Sequence, residues 1–179
     1  MNALIIYWSA TGNTKKVAET IHNVLKKGGI NSILKTVGEA GDDDLFEYDL
    51  VFIGSPSYMW QPPEPVLKYV KDKMEHYRER GAIKPCAPKV PGKKAVVFVT
   101  YSGPHTGINE AIPAGKYLGQ FFEHLGFEVA DEWYIVGEFH GSEENSTKGM
   151  LGDIRGRPNQ QDLDKVTADV NKLLGTVKK

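Results

Sequence analysis

The sequence predicts one three-layer α/β/α sandwich around a five-stranded parallel sheet with strand order 2-1-3-4-5. Short aliphatic runs recur along the chain and are typical of strands covered on both faces. Each run is followed by apolar residues at helical spacing, and alternating strands and helices form a parallel sheet with helices on both sides. The 179 residues are enough for one well-buried core and too few for two. We therefore expect a single domain over 1–179, in the doubly wound order whose ligand crevice lies between strands 1 and 3.

The chain opens with a strand at Ala3–Trp8 and a helix whose periodic part begins at Val17. Gly28 and Gly29 end this helix, as glycines after a helical pattern do. Its apolar face consists of Val17, Ala18, Ile21, Val24 and Leu25.

The later elements follow the same alternation. Strands are expected at residues 30–37, 50–53, 95–99 and 127–136, where Asp131–Glu132 could interrupt the last one. Helices are expected after the acidic run 42–44, from about Pro63–Pro65, after about Ile112 and around 163–174. Residues 78–92 indicate a loop, and 138–161 a polar loop insertion whose length is often functional.

The loop between the first strand and the first helix has the composition of an anion site. It consists of Ser9, Ala10, Thr11, Gly12, Asn13 and Thr14. Hydroxyl and amide donors, a glycine for a tight path and the N-terminal N–H groups of the next helix converge there, which suits a phosphate monoester. The alternative is that one of these residues only caps the helix. A cap needs one such residue, whereas this run has four.

Two better-known phosphate loops are absent from the sequence. Neither G-x-G-x-x-G after this strand nor G-x-x-x-x-G-K-[ST] occurs, which argues against a dinucleotide-binding Rossmann domain and a P-loop NTPase. The loop does resemble the flavodoxin signature, an S/T-x-T-G-N-T sequence that holds the phosphate of FMN. This resemblance implies a flavodoxin-like fold, FMN as the cofactor and electron transfer as the activity.

Two further loops are expected at the same edge of the sheet. The loop after strand 3 contains Pro56, Ser57, Tyr58, Met59 and Trp60, and the loop after strand 4 contains Thr100, Tyr101, Ser102 and Gly103. Aromatic rings on loops offer flat surfaces to a flat ligand, although each ring could instead pack over the sheet. Both loops resemble those that sandwich the flavin in flavodoxin-like proteins, and GRPNQQDL before the last helix extends the resemblance. By this resemblance, the two loops would hold the flavin ring between Tyr101 on one face and Trp60 or Tyr58 on the other.

Two features depart from flavodoxins that act as simple carriers. Those proteins often have Gly after the stacking aromatic, where a peptide flip contacts the reduced flavin. Met59 stands there instead, and a non-Gly residue resists positive φ. They are also usually strongly acidic, whereas the formal net charge here is −1.

These departures favour an alternative function, an NAD(P)H-dependent reductase of quinones or other small acceptors. Its candidate catalytic residue is His105, in a P-H-T-G sequence that resembles the His-Gly loop of flavodoxin-like quinone reductases. A histidine there could stabilise charge on the flavin or donate a proton. The other four histidines, His22, His76, His124 and His140, are expected to be solvated. A phosphate-responsive receiver domain is set aside, because Trp8–Ser9 and Gly54–Ser55 stand where it needs acidic residues.

Composition limits the partners. The small net charge gives no reason for nucleic-acid binding, and the sequence shows neither an apolar run of about 20 residues nor a signal peptide. We expect a cytoplasmic protein that binds neither nucleic acid nor membrane, with no metal site, since Cys86 lacks neighbours at ligand spacing. Its partners would be redox proteins or a small acceptor such as a quinone. Within 138–161, Arg155 and Arg157 could meet a phosphate, and Met150, Leu151 and Ile154 could form a homo-oligomer interface.

Overall fold

Five strands form the centre of the fold in the computed structural model, which describes residues 1–177. They are β1 (Asn2–Tyr7), β2 (Asn31–Thr36), β3 (Leu50–Pro56), β4 (Lys94–Tyr101) and β5 (Glu128–Val136). Every neighbouring pair is parallel, and the order is β2-β1-β3-β4-β5. The predicted sheet is therefore confirmed. Since all strands run the same way, their carboxyl ends meet at one edge.

Helices cover both faces of this sheet. They are α1 (Asn13–Lys27), α2 (Glu64–Glu79), α3 (Ile112–His124), α4 (Glu143–Thr147) and α5 (Gln160–Val177), with 3₁₀ turns at Leu45–Glu47 and Gly107–Glu110. The helices α1 and α5 share one core cluster, and α2 and α3 share the other. None of the described helices is both long and apolar enough to cross a bilayer.

The two clusters follow directly from the alternation of side chains along each strand. In β1, Ala3 and Ile5 belong to the core under α1 and α5, whereas Leu4 and Ile6 belong to the opposite core. All four are fully buried. A strand buried on both faces needs apolar residues at every position, which is why the aliphatic runs located the strands.

Several elements differ from the sequence prediction. The strand β3 runs to Pro56 instead of Ile53, and the helix expected after the acidic run 42–44 is only the 3₁₀ turn Leu45–Glu47. The first helix begins at Asn13, so Asn13 and Thr14 lie in its first turn and not in a loop. Thr100 and Tyr101 are the last residues of β4, because parallel pairing continues past the predicted end at Val99. In β5 the pairing register shifts beside Ala130, and the strand continues through Asp131–Glu132. A bulge accommodates one extra residue without ending the ladder.

The segment 138–159, which we call the strap, is more ordered than the predicted polar insertion. It contains α4, whose N-cap Ser142 accepts a hydrogen bond from Asn145 N–H at 3.2 Å. Ser146 and Ile154 are buried and are joined by a backbone hydrogen bond of 2.8 Å. Leu151 packs against the core of the chain, so of the three apolar residues suggested for an interface only Met150 is well exposed.

Candidate functional site

The first loop of the site is shaped by one glycine and one serine. Gly12 is the N-cap of α1 with φ 97°, and its N–H donates to Ser9 Oγ at 3.1 Å. The first intrahelical hydrogen bond runs from Lys16 N–H to Gly12 O at 2.9 Å. The N–H groups of residues 13–15 therefore have no acceptor within the helix. They lie at the positive end of the helix dipole, where an anion is favoured.

Two side chains of the first turn of α1 tie this loop to neighbouring strands. Thr14 Oγ1 lies 2.7 Å from Thr100 Oγ1, and both residues are almost completely buried. Asn13 Nδ2 donates to Glu138 O at 3.0 Å. The chain can approach so closely only because residue 137 is glycine, since a Cβ there would lie 2.7 Å from Asn13 Nδ2. These contacts assemble β1, β4 and β5 into one site.

A cavity of about 170 Å³ lies against this loop, and we call it the phosphate cavity. Its walls are Ser9, Ala10, Thr11, Asn13, Thr14, Pro56, Ser57, Tyr58, Thr100, Tyr101, Ser102 and residues 137–141. No Lys or Arg occurs among these described lining residues. A bound anion would thus be held by hydroxyl groups, amides and backbone N–H groups.

A second cavity of about 750 Å³ adjoins the first, and we call it the ring cavity. It is lined by Ser57, Tyr58, Met59, Trp60, residues 101–106, Glu110, Phe139 and Asn145. The two cavities are adjacent, and Ser57, Tyr58, Tyr101, Ser102 and Phe139 line both. The larger volume is within the range of about 300–1,000 Å³ usual for small-molecule sites.

The aromatic residues of the ring cavity differ in exposure. Tyr101, predicted on an exposed loop, is 9% exposed at the end of β4, whereas Tyr58 and Trp60 are 45% and 57% exposed. Burial raises the pKa of both tyrosine hydroxyls. Trp8 supports Tyr58 from behind in an edge-to-face contact with ring centroids 6.0 Å apart. The buried ring of Tyr101 therefore forms the inner wall of the ring cavity, and the more exposed rings of Tyr58 and Trp60 form its outer wall.

The outer wall is presented by a tight turn with an unusual backbone. Tyr58 and Gln61 exchange two backbone hydrogen bonds of 2.8 and 3.1 Å, and Met59 and Trp60 between them have φ of 47° and 69°. Positive φ at both central residues corresponds to a type I′ turn. Each non-Gly residue costs about 1–2 kcal/mol in this region. Met59 was expected to resist positive φ; the structure shows that the turn imposes it.

Glu110 organises the loop that carries His105. One carboxylate oxygen accepts hydrogen bonds from the N–H groups of His105 at 2.8 Å and Thr106 at 2.6 Å. The backbone carbonyl of Glu110 accepts the hydroxyl of Ser57. The loops after β3 and β4 are thus joined through one residue, and His105 is exposed at the rim of the ring cavity.

The structure also brings residues to the site that the sequence analysis missed. The loop after β5, from Gly137 to Gly141, lines the phosphate cavity. It includes His140, whose side chain is 43% exposed as predicted but was not assigned to the site. The signal was available, because this loop also follows the carboxyl end of a parallel strand.

Arg155 and Arg157 are instead engaged within the chain, and hydrogen bonds from Arg155 lower the pKa of Asp153 to about 2.

Known proteins share both the sequence pattern and the fold. Residues 4–86 match a family model described as a flavodoxin domain. Flavodoxin 1 from Bacillus cereus superposes with a TM-score of 0.68 at 15% identity, over 98% of each chain. The chain has a flavodoxin-like fold. No group of three or more metal-binding side chains occurs in the described part of this flavodoxin-like protein.

Two relatives by sequence carry different names. A protein from Archaeoglobus fulgidus called NAD(P)H dehydrogenase (quinone) is 24% identical over 167 residues, covering 78% of this chain and 83% of that protein. A flavodoxin from Megasphaera elsdenii is 27% identical over 97 residues, covering 54% of this chain and 63% of that flavodoxin. The flavodoxin-like protein thus resembles both a protein named as a flavodoxin and one named as a quinone dehydrogenase.

Proposed function

We propose that this flavodoxin-like protein binds FMN and transfers electrons between redox partners. The observation that supports this most directly is the pair of adjacent cavities, which share five lining residues. One is lined by hydroxyl and amide groups at the start of α1, and the other by four aromatic side chains, those of Tyr58, Trp60, Tyr101 and Phe139. A phosphate joined to a planar heterocycle matches both cavities at once. A simple anion would use only the first.

The donors of the phosphate cavity fit a phosphate monoester. The unpaired N–H groups at residues 13–15 and the hydroxyls of Ser9, Thr11 and Thr14 supply hydrogen bonds from neutral groups. Hydrogen bonds to a charged acceptor are the stronger kind. They would hold the phosphate without a Lys or Arg side chain, since neither occurs among the described lining residues.

The walls of the ring cavity fit a flat, partly polar ring. Tyr101 would pack against one face, and Tyr58 or Trp60 against the other, where they would exclude water. Ser102 and Gly103 also line this cavity, and their backbone groups would meet the polar edge of the ring. When bound, FMN supplies the redox chemistry, and the protein binds and orients it and tunes its potential through burial and backbone contacts.

The proposal is tested by titrating the purified protein with FMN and with riboflavin, following quenching of flavin fluorescence. We expect FMN to bind much more tightly than riboflavin, because only FMN occupies the phosphate cavity. A protein that is colourless as purified and quenches neither ligand would contradict the proposal.

A second candidate function is an FMN-dependent reductase of quinones or other small acceptors with NAD(P)H. The observation that favours it is the extent of the ring cavity, which continues beyond the aromatic walls to His105, Thr106 and Asn145. An acceptor could lie there, and His105 could donate a proton to it as it is reduced. The name of the A. fulgidus relative supports the same activity.

The two candidates predict different results for His105→Ala. If the protein is a reductase, holoprotein alone should oxidise NAD(P)H with a quinone, and the substitution should lower kcat by about a hundredfold, the lower end of general acid–base contributions. The matched control is His124→Ala, on the exposed face of α3, which should leave the rate unchanged. If NAD(P)H is oxidised only when a separate reductase is added, the result supports the carrier. If His105→Ala and His124→Ala turn over at the same rate, His105 has no part in the mechanism.

The partners and location are part of the same proposal. Redox proteins would be the partners of a carrier, and a quinone-like molecule the acceptor of a reductase. The cytoplasm remains the predicted location, and a homo-oligomer remains a prediction for which Met150 is the exposed residue of the suggested set.

A further inference from the structure

The loop after β5 is held directly over the phosphate cavity. Gly137 N–H donates to Tyr101 O at 2.8 Å, and Glu138 N–H donates to Arg157 O at 2.9 Å. Together with the bond from Asn13 to Glu138 O, these contacts attach the loop to β4, the strap and α1. The residues that follow, 139–141, are thereby carried into the wall of the cavity.

This loop brings the charged side chains of the cavity. Among the described lining residues, only Glu138 and His140 can carry charge near neutral pH, since burial raises the pKa of the tyrosine hydroxyls of Tyr58 and Tyr101 and keeps both neutral. His140 Nδ1 lies 3.9 Å from Glu138 Oε1. The other carboxylate oxygen of Glu138 accepts the N–H of Gly156 at 2.8 Å, with Arg155 contributing positive charge nearby.

A phosphate monoester carries a charge of about −1.5 to −2 at neutral pH, and His140 is the one described lining residue that can present a positive charge to it. We propose that His140 is a phosphate-binding residue, whose protonated imidazole donates a hydrogen bond to FMN from the loop after β5. This inference rests on the proposed binding of FMN. It adds the loop after β5 to the residues that would hold the phosphate, and makes the strap part of cofactor binding.

The sign of the resulting pH dependence follows from the charge. Only the protonated ring attracts the phosphate electrostatically, and histidines change charge between about pH 5 and 8. The affinity for FMN should therefore fall as the pH rises through this range. Riboflavin has no phosphate, so its affinity should stay nearly constant. Arg155 is charged throughout the interval and does not produce a slope. The phosphate loses its last proton near pH 6, and the negative charge gained there acts in the opposite direction, so it cannot produce the fall in affinity.

The test is a set of dissociation constants for FMN and riboflavin at pH 6.5 and pH 8.5, in the wild type and in His140→Gln. Glutamine keeps a neutral donor of similar reach and removes the titration. We expect wild-type affinity for FMN to fall about tenfold between the two pH values, as for loss of one charge-assisted hydrogen bond. The variant should bind FMN about tenfold more weakly at pH 6.5, without the slope. His124→Gln is the matched control and should behave as wild type.

Two results would overturn the inference in distinguishable ways. If wild type binds FMN far more tightly than riboflavin but His140→Gln is unchanged at both pH values, His140 is not a phosphate-binding residue and the proposed function stands. If wild type binds neither ligand, both proposals fail.

An NMR titration of wild type gives an independent readout that needs no variant. The chemical shifts of the His140 ring report its loss of a proton. This loss should occur at a higher pH with FMN bound than with riboflavin bound, because the phosphate stabilises the protonated ring. The same midpoint with both ligands would contradict the inference.

Discussion

Replacing Thr11 and Thr14 together with valine should weaken the binding of FMN by about a hundredfold and leave riboflavin within about threefold. The two hydroxyls line the phosphate cavity, and each hydrogen bond to a charged acceptor contributes about 1.5 kcal/mol or more. Two such losses correspond to about two powers of ten in the dissociation constant. Fluorescence titration of both flavins in both proteins measures the effect. Equal losses for FMN and riboflavin would contradict a phosphate site at this loop.

Two controls separate binding from folding. Thr20→Val is a matched substitution on α1, where the hydroxyl only donates to Lys16 O at 2.8 Å, and it should leave FMN binding unchanged. Thr14→Val alone leaves the Thr100 hydroxyl buried without its partner and should lower the free energy of unfolding by about 1–3 kcal/mol. The pair Thr14→Val with Thr100→Val removes both partners, so it should recover stability without recovering affinity for FMN.

Gly103→Ala should lower the free energy of unfolding by about 3 kcal/mol and weaken FMN and riboflavin by the same factor. Gly103 has φ +51°, and an added Cβ would lie 2.5 Å from Gly107 O. Overpacking against backbone costs about 1–3 kcal/mol, and positive φ adds about 1 kcal/mol. The damage lies in the loop around the ring cavity and not at the phosphate, so both flavins should be affected alike. Urea denaturation and flavin titration measure the two effects.

Gly29→Ala is the matched control for this substitution. Gly29 follows α1 with φ +75°, and an added Cβ there meets nothing within 4 Å. It should therefore show only the cost of positive φ, about 1 kcal/mol, with normal binding of both flavins. If Gly103→Ala is no worse than Gly29→Ala, the close approach of Gly103 to Gly107 does not restrain the loop.

The sheet and the signature loop were predictable because both are local in the sequence. Ala3, Leu4, Ile5 and Ile6 are uninterrupted aliphatic residues, which a strand buried on both faces requires. The run of hydroxyl and amide residues from Ser9 to Thr14 lies where a βα unit presents its ligand. The boundaries at Asn13 and Tyr101 were wrong by a few residues, because hydrogen bonding to neighbouring elements decided them.

The parts that could not be predicted depend on contacts between residues far apart in the chain. Glu138 reaches Asn13 across 125 positions, which places His140 in a cavity that its own surroundings in the sequence do not suggest. Glu110 fixes the loop of His105 through its carboxylate, and nothing in its sequence context indicates this.

By itself, the sequence determined the layered α/β/α fold, the order of its strands and the first wall of the phosphate cavity, because hydrophobic periodicity and turn chemistry act over a few residues. Only the tertiary structure decided that the loop after β5 forms a second wall and that Met59 and Trp60 adopt positive φ. Those features arise when the carboxyl ends of parallel strands converge and backbone hydrogen bonds between distant segments outweigh local preference.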